Sequence, residues 1–270
     1  MRRFSGIVAA LALSAVRPSA AAPTNPAAPV ANPPAVGFDA AGSEARAVAI
    51  ADATMAAMGG RAAWDKSRYF VWRFFGRRLH VWDRYTGRER VEYDDRKTGL
   101  RTVILSNVNT KEGRLFVDGK EVSDAAQKST ALQHAYEAWV NDSYWLIMPY
   151  KLKDTGVTLR YKGEQALLDG QAADVIVLTF AGVGVTPQNK YDVYVGKRSG
   201  LVEQWAYYEK AGDAAPEFSA PWLGWKRYGG ILLSGDRGKD GQLTDIAVHE
   251  CLADSVFTNP APLDLVTLGR

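Results

Sequence analysis

The chain has 270 residues, of which 47% are hydrophobic and 23% charged, enough apolar material for one sizeable folded core. Its formal net charge is +3, but Arg2, Arg3 and Arg17 precede a predicted leader cleavage site, and without them 30 basic residues face 30 acidic ones. A near-neutral chain excludes the basic-surface argument for nucleic-acid binding, so we expect no nucleic-acid partner. The single cysteine, Cys251, excludes an internal disulfide.

The beginning of the chain has the pattern of an export signal. Two arginines precede an apolar run from residue 6 to about residue 16, and Ala20, Ala21 and Ala22 then offer a small-residue cleavage site. The run is too short to span a bilayer, which takes about 20 apolar residues, and no cysteine follows that could carry a lipid anchor. We therefore expect a signal peptide over residues 1–22 and a periplasmic or secreted protein without an integral membrane segment. Residues 23–38, rich in proline and alanine, are predicted to form a flexible lead-in.

The domain predicted for residues 39–258 begins with a helix. Apolar residues recur at three- and four-residue spacing over 43–58, with Ser43 as the N-cap and Gly59-Gly60 as the stop. Short segments rich in β-branched and aromatic residues follow, separated by turn signals such as Asp118-Gly119. Besides the two short pieces that flank this turn, the predicted strands cover 68–75, 79–85, 88–94, 100–107, 157–163, 173–181, 190–196, 201–209, 224–235 and 243–250. Residues 259–270 are predicted to form a C-terminal tail.

One long helix interrupts these strands. Residues 123–148 carry Tyr136, Trp139, Tyr144 and Ile147 at helical spacing, and Pro149 ends the pattern. The last two turns are apolar nearly all round, which is typical of a helix buried on several sides. No crossover helices separate the other strands, which favours antiparallel pairing. We predict a mainly β (α+β) fold, a single curved antiparallel sheet of about 11–12 strands that forms an incomplete β-barrel with the two helices covering its concave side.

The central helix and the aromatic strands together indicate a ligand pocket. An apolar space between sheet and helix is a usual place for a small-molecule site. The alternative is that the helix fills the curved sheet as a core element, since such aromatic stripes are usually buried packing. Lys151 lies at the rim, where it could pair with an anionic head group or simply complement the helix dipole. The residues predicted to line the pocket are Phe70, Trp72, Phe74, Tyr136, Trp139, Tyr144, Ile147, Met148 and Lys151.

Signals for catalysis are weak. The sequence has no G-x-S-x-G, no phosphate-binding loop and no dinucleotide fingerprint. His134 and Glu137 could face one side of the central helix, but a metal site needs further ligands, so we predict no metal and no cofactor. Cys251, close to His249, is predicted to be a buried, unreactive thiol.

Two segments carry a resemblance to known proteins. YEAWVNDSYWLIMPYKLKDTGV (136–157) and FAGVGVTPQNKYDVYV (180–195) are similar to segments of an uncharacterised family of secreted bacterial proteins. The resemblance to this family covers most of residues 45–250. In architecture, the order of export signal, helix, curved strands, central helix and further strands resembles the lipoprotein-carrier superfamily of LolA and LolB, whose fold this family shares. The resemblance implies an unclosed barrel with a helical lid and an apolar cavity for acyl chains. No motif carries the functional residues of LolA or LolB across, and a fold does not fix a function.

The leading prediction is a monomeric, non-enzymatic protein that binds or carries a hydrophobic or amphipathic ligand, such as an acyl lipid or a lipoprotein-like molecule. Contact with a membrane or with lipoproteins would be transient. Two alternatives stay open: a secreted hydrolase whose Asp or Glu site is unmarked in the sequence, and a structural envelope protein whose barrel is filled by its own side chains.

Overall fold

The computed structural model describes residues 32–269, so the predicted signal peptide lies outside the described residues. The helices are α1 (Ala45–Ala57), α2 (Arg61–Lys66), α3 (Ala125–Ile147) and α4 (Ser255–Thr258), with 3₁₀ helices at Met148–Lys151 and Gly238–Asp240. The strands are β1 (Tyr69–Phe74), β2 (Arg78–Asp83), β3 (Arg88–Asp94), β4 (Arg101–Asn107), β5 (Gly113–Val117), β6 (Lys120–Glu121), β7 (Val157–Ala166), β8 (Ala172–Phe180), β9 (Lys190–Gly196), β10 (Val202–Tyr208), β11 (Phe218–Pro221), β12 (Leu223–Tyr228), β13 (Ile231–Asp236) and β14 (Leu243–His249). Within residues 32–269, no helix combines the length and the apolar character needed to cross a membrane.

The strands pair in antiparallel fashion and form three sheets. Sheet A has the order β14-β1-β2-β3-β4-β5-β6, sheet B has the order β11-β10-β9-β8-β7, and β12 pairs with β13 in a hairpin. The predicted mainly β architecture, antiparallel and not closed into a barrel, with a central helix, is confirmed. The division into three sheets differs from the single sheet that the sequence predicts, because α3 separates β6 from β7 and the two strands do not pair.

Both predicted helices occur close to their predicted limits, but the start of α1 differs from the prediction. The Ser43 hydroxyl does not cap α1; it donates to the Asp39 carbonyl and accepts from the Leu159 N–H at 3.0 Å, which ties the helix start to β7. The C-terminal end of α1 is as predicted. Gly59 and Gly60 have positive φ angles, and a Cβ on Gly59 would lie 2.3 Å from the carbonyl oxygen of Gly230.

Two further features differ from the sequence analysis. The short helix α2 was not predicted, and it brings Trp64 against Tyr150 with ring centroids 4.3 Å apart. Cys251 is exposed, so the prediction of a buried thiol is wrong; it lies in the irregular segment that follows the end of β14 at His249. Residues 32–38, the described part of the predicted lead-in, are tied to the domain, for example by the Ala35 N–H, which donates to the carbonyl of residue 153.

Helix α3 lies between sheets A and B. Near its C-terminal end, Trp145 contacts Phe74 and Phe75 on the side of sheet A, with ring centroids 6.4 and 5.3 Å away. The same indole contacts Trp205 and Phe218 of sheet B at 4.7 and 5.8 Å. Aromatic pairs at such distances each contribute about 0.5–1.5 kcal/mol beyond the area that they bury. The last turns of α3 therefore join the cores of the two sheets.

The C-terminal end of α3 is held by a buried arginine. In an uninterrupted helix the N–H of residue 149 would donate to the Trp145 carbonyl, but Pro149 has no N–H. Arg237, which is 0% exposed, supplies the missing donor through Nη2, 2.5 Å from that carbonyl oxygen. Its Nη1 donates to the Ser234 hydroxyl at 2.8 Å, and its guanidinium lies 3.6 Å from the Trp222 ring centroid. Burial lowers the pKa of Arg237 to about 9, which leaves it charged at neutral pH.

Replacing Arg237 by Met is expected to lower the free energy of unfolding by about 2–4 kcal/mol, because buried carbonyls without a donor cost about 1–3 kcal/mol each. In a Pro149→Ala background the loss should be smaller, since the N–H restored at position 149 can donate to the Trp145 carbonyl. Urea unfolding of the single and double variants measures both losses. Arg227→Met, at an exposed position of β12, is the matched control. Equal losses in both backgrounds would mean that Arg237 does not replace the missing N–H.

Candidate functional site

A cavity of about 680 Å³ lies between α3 and sheet B. Its volume falls within the range of about 300–1,000 Å³ that is usual for small-molecule sites. The rim on one side is the loop between β8 and β9, residues 183–186. Aromatic side chains dominate the walls, and they are Trp82, Tyr136, Trp139, Tyr144, Trp145, Phe180, Tyr191, Trp205, Tyr207 and Phe218.

The wall formed by sheet B follows from strand alternation and register. Tyr207 of β10 lies opposite Tyr191 of β9 and Phe218 of β11 in the two ladders, with ring centroids 5.4 and 5.2 Å away. Trp205, two residues before Tyr207, emerges on the same face and stacks on Tyr191 at 5.0 Å. Cross-strand aromatic pairs of this kind stabilise a sheet by about 0.2–1 kcal/mol each. They also give the cavity a wall built on regular strands.

The opposite wall is one face of α3. Tyr144 reaches across the cavity, with its ring centroid 5.4 Å from that of Tyr191, 6.1 Å from Trp205 and 6.4 Å from Phe180. Burial raises the pKa of the Tyr144 hydroxyl well above 10, so this group stays protonated and can donate a hydrogen bond.

The structure divides the nine residues that the sequence predicts as ligand-binding. Those on the cavity wall are Tyr136, Trp139, Tyr144, Ile147 and Lys151. Those in the buried core, which do not line the cavity, are Phe70, Trp72, Phe74 and Met148. The three from β1 do share a face, as the alternation predicts, but α2 and the end of α3 cover that face. Whether the five residues on the wall contact a ligand stays a prediction.

Several residues of the wall carry polar atoms that lack a hydrogen-bond partner among the described residues. Leaving such a group unpaired costs about 1–3 kcal/mol, and native proteins usually pair them. The atoms are Nε1 of Trp82, Trp139 and Trp205, the Tyr144 hydroxyl and Oδ1 of Asn189. Four of the five are donors, but each of these atoms is itself buried, so a ligand in the cavity would reach them only after a movement of the wall side chains.

The polar end of the cavity lies where α3 gives way to β7. Lys151 forms an ion pair with Asp154, and both residues line the cavity. Gly156 follows with φ of 73°, and a Cβ there would lie 2.7 Å from the Ala181 carbonyl oxygen and from the Val183 side chain. The absence of a side chain at Gly156 therefore lets the rim loop approach this end of the cavity.

Helix α3 is fixed to sheet A by buried charges. Asp142 accepts hydrogen bonds from Nε and Nη2 of Arg78 at 2.7 and 2.8 Å and lies 2.8 Å from Nε2 of His80. His80 Nδ1 lies 2.8 Å from Glu89, and the Trp72 ring stacks on the imidazole at 4.6 Å. His80, Glu89 and Asp142 are each 0% exposed. Removing one partner from such a buried network leaves an uncompensated charge, which is strongly destabilising.

The pKa shifts indicate which charges this network holds. Burial disfavours a charged His80, but its hydrogen bonds to Asp142 and Glu89 outweigh burial and raise its pKa above 6.5. Burial alone would raise the pKa of Asp142, but the hydrogen bonds from His80 and Arg78 outweigh burial, and the pKa is lowered. For Glu89 burial prevails and the pKa is raised. The ion pairs with Asp142 therefore hold α3 against β2.

The stabilisation from His80 is expected to fall as pH rises. Its pKa is raised by folding, so the contribution is complete below pH 6.5 and is lost as pH rises through the folded-state value. Urea unfolding of the wild type and of His80→Gln, on both sides of pH 6.5, should therefore show a difference in unfolding free energy that shrinks towards alkaline pH. His134→Gln, on the exposed face of α3, is the control variant. A difference that grows with pH would contradict the assignment.

His134 and Glu137 are both exposed on α3, and Glu137 accepts a hydrogen bond from Gln133 at 2.8 Å. Within residues 32–269, no three His, Cys, Asp or Glu side chains are grouped so that they could hold a metal ion.

Comparisons with known proteins found only distant likenesses. No protein-family model and no curated protein matches the chain. A DUF1329 family protein from Desulfovibrio piger ATCC 29098 matches with 14% identity and a TM-score of 0.42, over 78% of this chain and 96% of that one. The complex of MucA and MucB from Pseudomonas aeruginosa matches with 16% identity and a TM-score of 0.25, over 63% of this chain and 53% of that one. A second structure of MucB with MucA gives 14% identity and a TM-score of 0.22, over 80% and 60%. Likenesses this weak carry no functional inference.

Proposed function

We propose that the protein binds and carries a hydrophobic or amphipathic ligand, such as an acyl lipid, in the cavity between α3 and sheet B, without catalysis and in the periplasm. The observation that supports this proposal is the cavity of about 680 Å³ with aromatic walls, which the helix and the sheet leave between them. Apolar cavities with a few polar groups are the usual form of small-molecule sites.

Apolar contact can offset much of the cost of association. Each buried methylene contributes about 0.8 kcal/mol, so a chain of about ten methylenes gains about 8 kcal/mol. That gain is of the same order as the estimated 4–15 kcal/mol that association costs.

The two alternatives from the sequence analysis find less support. A filled barrel would leave little space beneath α3, whereas a cavity of about 680 Å³ lies there. A hydrolase with paired carboxylates needs two acids close to one reacting bond. Among the described residues, Asp154 is the one carboxylate that lines this cavity, and it is paired with Lys151.

Extraction of the purified protein followed by lipid mass spectrometry tests the proposal. Acyl lipid should be found with the wild type, and the emptied protein should take up a fluorescent fatty acid. Val140→Trp should weaken that uptake about tenfold or more, because a larger side chain on the cavity wall takes ligand space at a cost of about 1–3 kcal/mol.

His134→Trp, an equally large substitution on the exposed face of the same helix, is the matched control and should bind like the wild type. Circular dichroism establishes that both variants are folded. A wild-type protein that emerges without lipid and takes up no fatty acid would overturn the proposed function.

A further inference from the structure

A second, smaller cavity adjoins the first. It measures about 250 Å³ and lies among α1, α2 and the 3₁₀ helix that follows α3. Four residues line both cavities, Trp82, Ile147, Lys151 and Asp154. The two spaces are therefore separated by single side chains, and one extended molecule could occupy both.

The walls of the small cavity differ in charge from those of the large one. Four cationic side chains line it, which are Arg61, Arg84, Lys151 and Lys153, against the single carboxylate of Asp154. Three of the cations have a carboxylate partner. Lys151 pairs with Asp154, Nζ of Lys153 lies 2.7 Å from Asp52, and Nε of Arg61 lies 2.8 Å from Asp65.

Arg84 is the cation without such a partner. Its guanidinium donates to the carbonyl oxygens of Trp64, Asp65 and Ser67 at 2.7–3.0 Å and lies 4.6 Å from the Trp64 ring centroid. Within residues 32–269 it forms no ion pair of its own, although the Asp65 carboxylate that pairs with Arg61 also attracts it. Residues 1–31 contain no Asp or Glu. Burial lowers its pKa, as expected for a cation removed from water. The four cations thus exceed their three carboxylate partners by one charge.

The end of the predicted lead-in also borders this cavity. Asn32 and Ala35 line it, and both form hydrogen bonds with Lys153, two residues after the end of the 3₁₀ helix. Nζ of Lys153 donates to the Asn32 carbonyl at 2.6 Å, and the Ala35 N–H donates to the Lys153 carbonyl at 2.9 Å. This segment therefore forms part of the wall beside the cations.

We propose that the small cavity binds the singly charged anionic head group of the ligand, a carboxylate or a phosphodiester, while the apolar body lies in the large cavity. This inference rests on the proposed function and adds the chemical class of the ligand. The unpaired charge of Arg84 matches one negative charge, and a guanidinium suits carboxylate and phosphate oxygens through charge-assisted hydrogen bonds. Trp82 and Ile147 are the apolar side chains that line both spaces.

Calorimetric titration with four ligands that share one saturated chain tests the inference. The ligands are a fatty acid, its methyl ester, lysophosphatidylglycerol and lysophosphatidylcholine, each below its critical micelle concentration. At least one anionic ligand should bind about tenfold or more tightly than its partner without net charge, because hydrogen bonds to charged groups are the stronger ones. The fatty-acid pair reports on a carboxylate site and the lysolipid pair on a phosphodiester site.

Arg84→Gln should reduce that ratio towards one, while the affinity for the methyl ester stays within about twofold. Arg96→Gln, at an exposed turn residue between β3 and β4, is the matched control and should keep the wild-type ratio. If Arg84→Gln does not fold, Arg61→Gln removes a second cation of the same cavity and should also lower the ratio. Equal affinities for charged and uncharged ligands would overturn the head-group inference and leave the proposed function standing. Failure of all four ligands to bind would overturn both.

Discussion

The fold depends on burying the C-terminal half of helix α3, which carries polar groups, between sheets A and B. Helix α3 carries into the interior a carboxylate, Asp142, and a carbonyl, that of Trp145, which Pro149 leaves without its helical partner. Either group would cost several kcal/mol if it were buried alone. Arg78 and His80 pair with the carboxylate, and Arg237 pairs with the carbonyl. The position of the helix is therefore set by a few polar contacts, around which the aromatic packing is arranged.

The same helix also forms one wall of the cavity. Asp142 points to sheet A, whereas its neighbours Asn141 and Ser143 line the cavity, together with Tyr144. Because one face of α3 is held by charges against sheet A, its other face stands away from sheet B and leaves space. The aromatic rings of β9, β10 and β11 border that space without filling it. The residues that fix α3 to sheet A and those that line the cavity thus lie on the same two helical turns.

The local elements could be predicted from the sequence because their signals are local. The stripe containing Tyr136, Trp139 and Tyr144 predicted both the helix and the residues of its cavity face, and Pro149 predicted where the helix ends. Alternation in β1 placed Phe70 and Trp72 on one face correctly. It could not show that this face belongs to the core, because the covering residue Trp64 lies on a short helix without a clear sequence signal.

Contacts between segments that are distant in the chain could not be predicted from the sequence. His80 meets Asp142 across 62 positions, and Arg237 meets Trp145 across 92. The sequence did contain a hint, since an acid inside an apolar helix must find a partner when it is buried. Nothing in the sequence indicates which of its cations that partner is. The aromatic wall of sheet B was likewise visible as alternation at Trp205 and Tyr207, but its role depends on which sheet faces α3.

The pairing of β1 with β14 has a consequence for how the chain reaches its native state. Tyr69 lies opposite His249 in this ladder, so sheet A joins the first and last strands of the described chain. The ladder cannot form until residues 243–249 have been synthesised, and such distant pairing is slow because a long loop must close first. A nascent chain therefore remains without its complete sheet A until residues 243–249 have left the ribosome. Until then, β1 is an open edge strand of sheet A.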